Sequence, residues 1–300
     1  GVQSALSSAQ SAKSLKVRNS KRDSVLTVSN AYVEVTFHKE TGMMVGYTVN
    51  NHRMIGEGGS LRPLFWRALT DNEMGADVRR RNGVWRHPEM RLQQLETKRV
   101  DRDVKVSASY EMPMAQASLI LDYLVKGDGK VQVTETMVTT KDARQSEMLR
   151  FGMAMEMPYA MDHSTYYGRG PVENYNDRKL SQRIGIYRQT ADEQFFPYVR
   201  PQETGTKGDM RWWQQTDSEG KGLRVTADVP FYASALHYAV DDLDEPLPHK
   251  GQRHSSQVPK SPYTNLFLDL EHSGVGGVNS WGGWGLALPP HRVPYKDRPF

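Results

Sequence analysis

Apolar and polar residues alternate with a period of two along most of this chain. Val33, Val35 and Phe37 alternate with Glu34 and Thr36, and Val104, Val106 and Ala108 alternate with Lys105, Ser107 and Ser109. Residues 119–125 and 131–138 flank Gly127-Asp128-Gly129, a composition suited to a hairpin turn. Phe151, Met153, Met155 and Met157 alternate until Pro158 ends the run. Similar runs cover residues 43–49, 223–227, 231–238 and 263–270. Successive side chains of a strand point to opposite faces, so each run predicts a half-buried strand. The methionine row reads as core filling, because the flexible thioether adapts to irregular gaps. Only residues 77–86 suggest a helix, with Asp71 or Asn72 near its start. Many strands, frequent turns and little helix predict an all-β fold, a large antiparallel β-sandwich.

The 300 residues suit one sandwich domain over residues 17–300, since all-β units of this size are common. Residues 1–16, rich in Ser, Ala, Gln and Lys, lack the apolar core of a secretory signal. They are expected to form a flexible lead-in, the cut end of a longer protein. Residues 241–262 are polar, with Pro246, Pro248, Pro259, Pro262, His249 and His254, and suggest a long surface loop.

Composition narrows the chemistry. The chain has no cysteine, which excludes disulfides, thiol nucleophiles and thiolate metal sites and leaves the compartment open. A net charge of +4 is small for this length. The arginines at 79, 80, 81 and 86 read as a solvated surface segment, and no nucleic-acid partner is expected, because no nucleic-acid motif accompanies them. No run approaches the roughly 18 apolar residues that span a bilayer, so no membrane partner is expected. The histidines lack ligand-like spacing, and no metal site is expected.

Three segments stand apart from the strand pattern. In the first, Phe65-Trp66-Arg67-Ala68-Leu69-Thr70-Asp71-Asn72-Glu73, the Asp-Asn pair either holds a loop through backbone hydrogen bonds or binds sugar hydroxyls. The second, Gly168-Arg169-Gly170-Pro171-Val172-Glu173-Asn174-Tyr175-Asn176-Asp177-Arg178, packs donors and acceptors behind a tight turn. Adjacent Asp177 and Arg178 suggest paired charges, and a structural polar network competes with ligand contact there. The third, Gly274-Val275-Gly276-Gly277-Val278-Asn279-Ser280-Trp281, puts a tryptophan on a glycine-rich loop, docked on a neighbour or offered to a ligand. Residues 198–205 are a possible neighbour of that loop.

With Pro201-Gln202-Glu203-Thr204-Gly205, these segments resemble, in order, the recurring patterns of glycoside hydrolase family 2 β-galactosidases. The resemblance runs from about residue 25 to 288 and identifies the C-terminal β-sandwich domain of such an enzyme. It departs at Leu69, where the family often has Pro, and at Val278, where Asp is common. It implies a supersandwich similar to galactose mutarotases, packed against a separate (β/α)₈ barrel that carries both catalytic glutamates. No catalytic residue is then expected in this chain. Trp281 would stack on sugar or aglycone, because the C–H face of a pyranose covers an indole well. Asn279, Asp71, Asn72, Arg169 and Glu173 are the further candidate substrate contacts. No cofactor is expected in this segment, the magnesium and sodium of whole enzymes being held largely by other domains. The implied partners are the remaining domains of the parent β-galactosidase and a β-galactoside or galactose, in a parent that is a homo-oligomer.

Two other readings stay open. A mutarotase-like epimerase needs an acid and a base, for which His163, His237 or His272 with Glu203 or Glu271 are candidates. A free-standing carbohydrate-binding domain needs an aromatic platform, such as Trp281 with Trp284, or Trp212 with Trp213. One member of the second pair is expected in the core.

Overall fold

The computed structural model describes residues 14–244 and 253–300. The expected lead-in up to residue 13, and Pro246, Pro248 and His249 of the expected surface loop, lie outside the described residues. Residues 15 and 16 already belong to the fold: Leu15 is fully buried and the first strand begins at Lys16.

The chain opens with β1 (Lys16–Arg18), β2 (Val25–Ser29), β3 (Val33–His38), β4 (Met44–Val49), β5 (His52–Arg53) and β6 (Leu61–Leu64). Two short helices follow, α1 (Asp71–Gly75) and α2 (Val78–Asn82). Then come the long hairpin strands β7 (Arg91–Val100), β8 (Asp103–Met112), β9 (Ala117–Val125) and β10 (Val131–Thr139). The second half supplies β11 (Arg150–Pro158), β12 (His163–Gly170), β13 (Arg183–Thr190), helix α3 (Ala191–Gln194), β14 (Lys207–Thr216), β15 (Gly222–Leu236), helix α4 (Val240–Leu243) and β16 (Tyr263–His272). The chain ends on β17 (Arg298–Pro299).

These strands form two antiparallel sheets, as the alternation predicts. Among the described residues the larger has 12 strands, ordered β1-β2-β3-β4-β6-β11-β16-β15-β14-β12-β13 with β5 paired to β4. The smaller has five, ordered β17-β10-β9-β8-β7. The smaller sheet packs on the early strands of the larger. Val35 and Phe37 meet Val106, Leu121 and Tyr123 in one core, and the Phe37 and Tyr123 rings lie edge to face at 5.0 Å. Tyr110 ties the layers by donating its hydroxyl to the Thr41 carbonyl at 2.8 Å, and Tyr47 does the same to Gly129 at 2.7 Å. Each large apolar side chain buried there contributes about 1.5–3 kcal/mol relative to exposure. Met153, Met155 and Met157 lie in this core, as their alternation predicts.

Two local expectations need correction. Residues 71–82 form two helices rather than one starting at residue 77. Thr70 caps α1 through a box with Glu73, and Asp77 takes a left-handed conformation at φ 58° that breaks the helix before α2 starts. The runs 223–227 and 231–238 fall on one strand, β15, which ends at Leu236. Its pairing with β14 is interrupted between Thr226 and Phe231, and that irregularity accommodates Pro230. No helix among the described residues is long and apolar enough to cross a membrane.

Candidate functional site

The three motifs, with residues 198–205, converge on the loop that follows β16. Its base is held from two sides. Arg67, fully buried, donates two bonds to Glu73, at 2.7 and 2.8 Å, and a third to the Gly274 carbonyl at 3.0 Å. Burial opposes its charge, but Glu73 offsets that and holds the guanidinium above its ordinary pKa. Asp177 accepts the backbone N–H groups of Val275 at 3.1 Å and Gly276 at 2.8 Å. The expected pairing of Asp177 with Arg178 does not form. Arg178 instead donates to Glu173 at 2.9 Å, because adjacent side chains in this turn diverge.

Above that base the loop closes on itself. Val278 and Asn279 donate to the Trp284 carbonyl at 2.8 and 3.2 Å, and the Asn279 side chain accepts the Trp281 N–H at 2.8 Å. The backbones touch at Gly277, where a Cβ would sit 2.5 Å from atoms of Trp284 and Gly285. A 3-10 turn, Gly282–Gly285, completes the tip. Trp281 is 80% exposed and Trp284 66% exposed. Both residues are largely exposed in this chain.

Asp71 and Asn72 sit beside this loop at the start of α1. A Cβ on Gly285 would lie 3.0 Å from the Asn72 Cβ, so helix and loop tip are in contact. Asp71 is exposed and accepts from Arg200 at 3.1 Å, which brings in residues 198–205. Trp281, Asn279, Asp71 and Asn72 therefore share one surface.

Arg169 and Glu173 occupy different surroundings. Arg169 bonds Asp209 at 2.7 Å and the Gln182 carbonyl at 2.7 Å, bracing the turn that carries Asp177. The Glu173 side chain is only 8% exposed. It accepts from Tyr198, from Gly205 N–H at 2.8 Å and from Thr204 at 3.2 Å, besides Arg178. Its acceptor capacity is filled by the protein.

Beneath the site lies a buried polar layer. Arg150 makes a two-pronged ion pair with Asp269 at 2.8 and 2.6 Å. Glu203 accepts from Thr206 at 2.6 Å, and burial lifts its pKa against the pull of Arg150 and Arg67. His272 faces Glu203 at 3.8 Å, and burial together with the Arg150 and Arg67 charges drives its pKa well below the ordinary value, so the ring is neutral. The cavity lined by Glu203 and Arg150 has about 10 Å³, room for about one water and none for a sugar. His163 and His237 both face Asp162, at 2.7 and 3.9 Å, and Glu271 pairs with Arg298 and, at 3.6 Å, with Lys296. Of the Trp212 and Trp213 pair, Trp213 is fully buried on Tyr166 at 4.7 Å, and Trp212 lies under Arg224 at 4.6 Å.

The arginine cluster also differs from its expected solvated state. Arg80 and Arg81 are exposed, but Arg79 and Arg86 converge on Asp244, at 2.8 and 3.0 Å. Asp244, buried, also accepts the Trp66 indole N–H at 2.9 Å and the Leu69 N–H at 3.2 Å. Alternation could not reveal this knot, because its acid lies 165 residues from Arg79. Among the described residues no cluster of three or more His, Asp or Glu could hold a metal ion.

Residues 29–300 match the family described as the β-galactosidase small chain. A β-galactosidase of Priestia megaterium is 29% identical over 280 residues, covering 93% of this chain and 26% of that protein. One from Lactobacillus delbrueckii subsp. bulgaricus is 33% identical over 224 residues, covering 73% of this chain and 21% of that protein. The chain thus spans about a quarter of the length of these relatives. Among solved structures, a galactose mutarotase-like protein from Lactobacillus casei aligns over 92% of this chain and 97% of its own, with 9% identity and a TM-score of 0.47.

Proposed function

We propose a function from one premise: this chain belongs to the β-galactosidase small-chain family. It is a module of a larger β-galactosidase of glycoside hydrolase family 2, which hydrolyses terminal β-D-galactosides. Its part is to complete the mouth of an active site whose two catalytic glutamates stand on a separate barrel domain. Trp281 is the contact with sugar or aglycone, with Asn279, Asp71 and Asn72 around it.

One observation carries this reading. An 80% exposed tryptophan stands on a loop whose base is pinned by the buried Arg67 and by the half-buried Asp177. Burying an indole is favourable, so leaving it in water on a braced support suits a surface waiting for an apolar face. A pyranose offers such a face along its C–H bonds. Arg169 enters as a brace of the Asp177 turn and Glu173 as a tie to residues 198–205, rather than as sugar contacts, since their polar atoms are already bonded. Magnesium and sodium, if the parent uses them, bind through its other domains.

The chain by itself then has no hydrolytic machinery. A retaining glycosidase sets two carboxyls roughly 5–5.5 Å apart across the scissile bond. The buried Tyr175 hydroxyl stands between Glu173 and Glu203, 3.5 and 3.4 Å from them, so protein fills the gap where a glycosidic bond would have to sit. Incubation of the purified chain with an activated aryl β-galactoside tests this. No turnover is expected. Turnover that disappears on mutating a carboxylate of this chain would overturn the reading.

A further inference from the structure

Asp177 lies in the turn between β12 and β13, and its carboxylate reaches the loop 98 residues further on. Both oxygens are used there, one on each of two successive backbone N–H groups, Val275 and Gly276. Successive N–H groups make a small concavity that suits an anion. A carboxylate seated in it fixes two peptide planes at once, and charge-assisted bonds are stronger than neutral ones.

The glycines explain how the acid gets so close. A Cβ on Gly274 would collide with the Asp177 carboxyl, and one on Gly276 would stand 3.3 Å from it. Gly277 then lets the loop's two legs meet backbone to backbone. From there the Trp284 carbonyl ties Val278 and Asn279, and the Trp281 carbonyl accepts from Trp284 at 3.1 Å. Two sets of hydrogen bonds, joined through the backbone of Gly277, therefore link Asp177 to the backbone of Trp281.

We propose that Asp177 is a positioning residue, which sets the Trp281 loop in its sugar-facing geometry without itself touching the sugar. This rests on the reading of Trp281 given above. The turn holding Asp177 is itself braced by Arg169 and by Asn174, whose side chain bonds the Arg169 and Val172 carbonyls at 3.0 and 3.1 Å.

The test uses the full-length β-galactosidase that carries this chain, with Asp177→Ala, Asp177→Asn and Trp281→Ala. Amide hydrogen exchange is followed at residues 275–284, with β9 as an internal reference, beside KM and kcat for an aryl β-galactoside. Asp177→Ala is expected to speed exchange across the loop by about 10-fold, as for loss of a charge-assisted bond, with β9 unchanged. KM is expected to rise in Asp177→Ala, and less in Asp177→Asn, which keeps one acceptor oxygen and serves if the alanine variant folds poorly. The double variant with Trp281→Ala should have no higher KM than Trp281→Ala alone. Loop exchange unchanged in both Asp177 variants would overturn the proposal. A loosened loop with KM unmoved in every variant would support the pin and overturn the sugar reading of Trp281 instead.

Discussion

Arg67 donates to the carbonyl of Gly274 at 3.0 Å across 207 residues of sequence. One nitrogen thus joins the segment before α1 to the base of the tryptophan loop. The same guanidinium is clamped by Glu73, which also accepts the Thr70 N–H at 2.9 Å and so caps α1. Helix cap, ion pair and loop anchor are a single buried unit.

That unit predicts a large loss on truncation. Arg67→Met leaves the Glu73 carboxylate buried without its cation and the Gly274 carbonyl without a donor. Breaking such a pair costs about 3–5 kcal/mol. Arg67→Lys keeps the charge but not the planar fork, and should cost less. Urea unfolding of the three proteins measures the order, and a loss below about 1 kcal/mol for Arg67→Met would contradict it.

Glu135 predicts the opposite sign. It is buried between the sheets with no hydrogen-bond partner on either oxygen. Burial first, then the Asp269 charge, pushes its pKa well up, against the pull of Arg298. An acid raised in the folded state binds its proton more tightly there, so its contribution to stability falls as pH rises above the unfolded value. Glu135→Met should therefore stabilise the protein by about 1–3 kcal/mol near neutral pH, with the gain shrinking in acid. A destabilised variant near neutral pH would mean that attraction to Arg298 outweighs desolvation.

Lys207 gives a basic-side dependence. It is buried and donates to the Gly205 carbonyl at 2.7 Å, and burial lowers its pKa to about 7 despite Glu173. The unfolded chain holds this proton more tightly, so unfolding takes up a proton between about pH 7 and the ordinary lysine value. Lys207 thus makes stability rise with pH in that window. Lys207→Met removes the slope, so its stability relative to the parent should fall by about 2–3 kcal/mol from about pH 7 to about pH 9. Parallel curves over that range would show that Lys207 keeps its ordinary affinity for the proton.

Strands were legible where one face is uniformly apolar, as in β3, β8 and β11, whose inner positions are Val, Phe, Ala, Tyr or Met. β12 escaped because its inward positions include Ser164, Gly168 and Gly170, while Tyr167 points outward. Its buried polar groups are matched by hydrogen bonds, such as Ser164 to Gln215 at 2.7 Å, and those leave no hydrophobic period. The site was legible as segments, since glycines and Asp-Asn-Glu runs break the strand pattern. The pairings between segments were not. Asp177 has an arginine as its sequence neighbour and two backbone N–H groups as its actual partners.

In the proposed function Trp281 serves the sugar and not the fold. Trp281 is 80% exposed, so Trp281→Ala should change stability by no more than about 0.5 kcal/mol. The most direct measurement pairs thermal unfolding with KM for an aryl β-galactoside in the full-length enzyme, wild type against Trp281→Ala. An unchanged melting temperature is expected, with KM raised by about 10-fold, the scale of a lost aromatic contact. An unchanged KM with a lowered melting temperature would show that the ring is packed against another part of the enzyme, and would contradict that function.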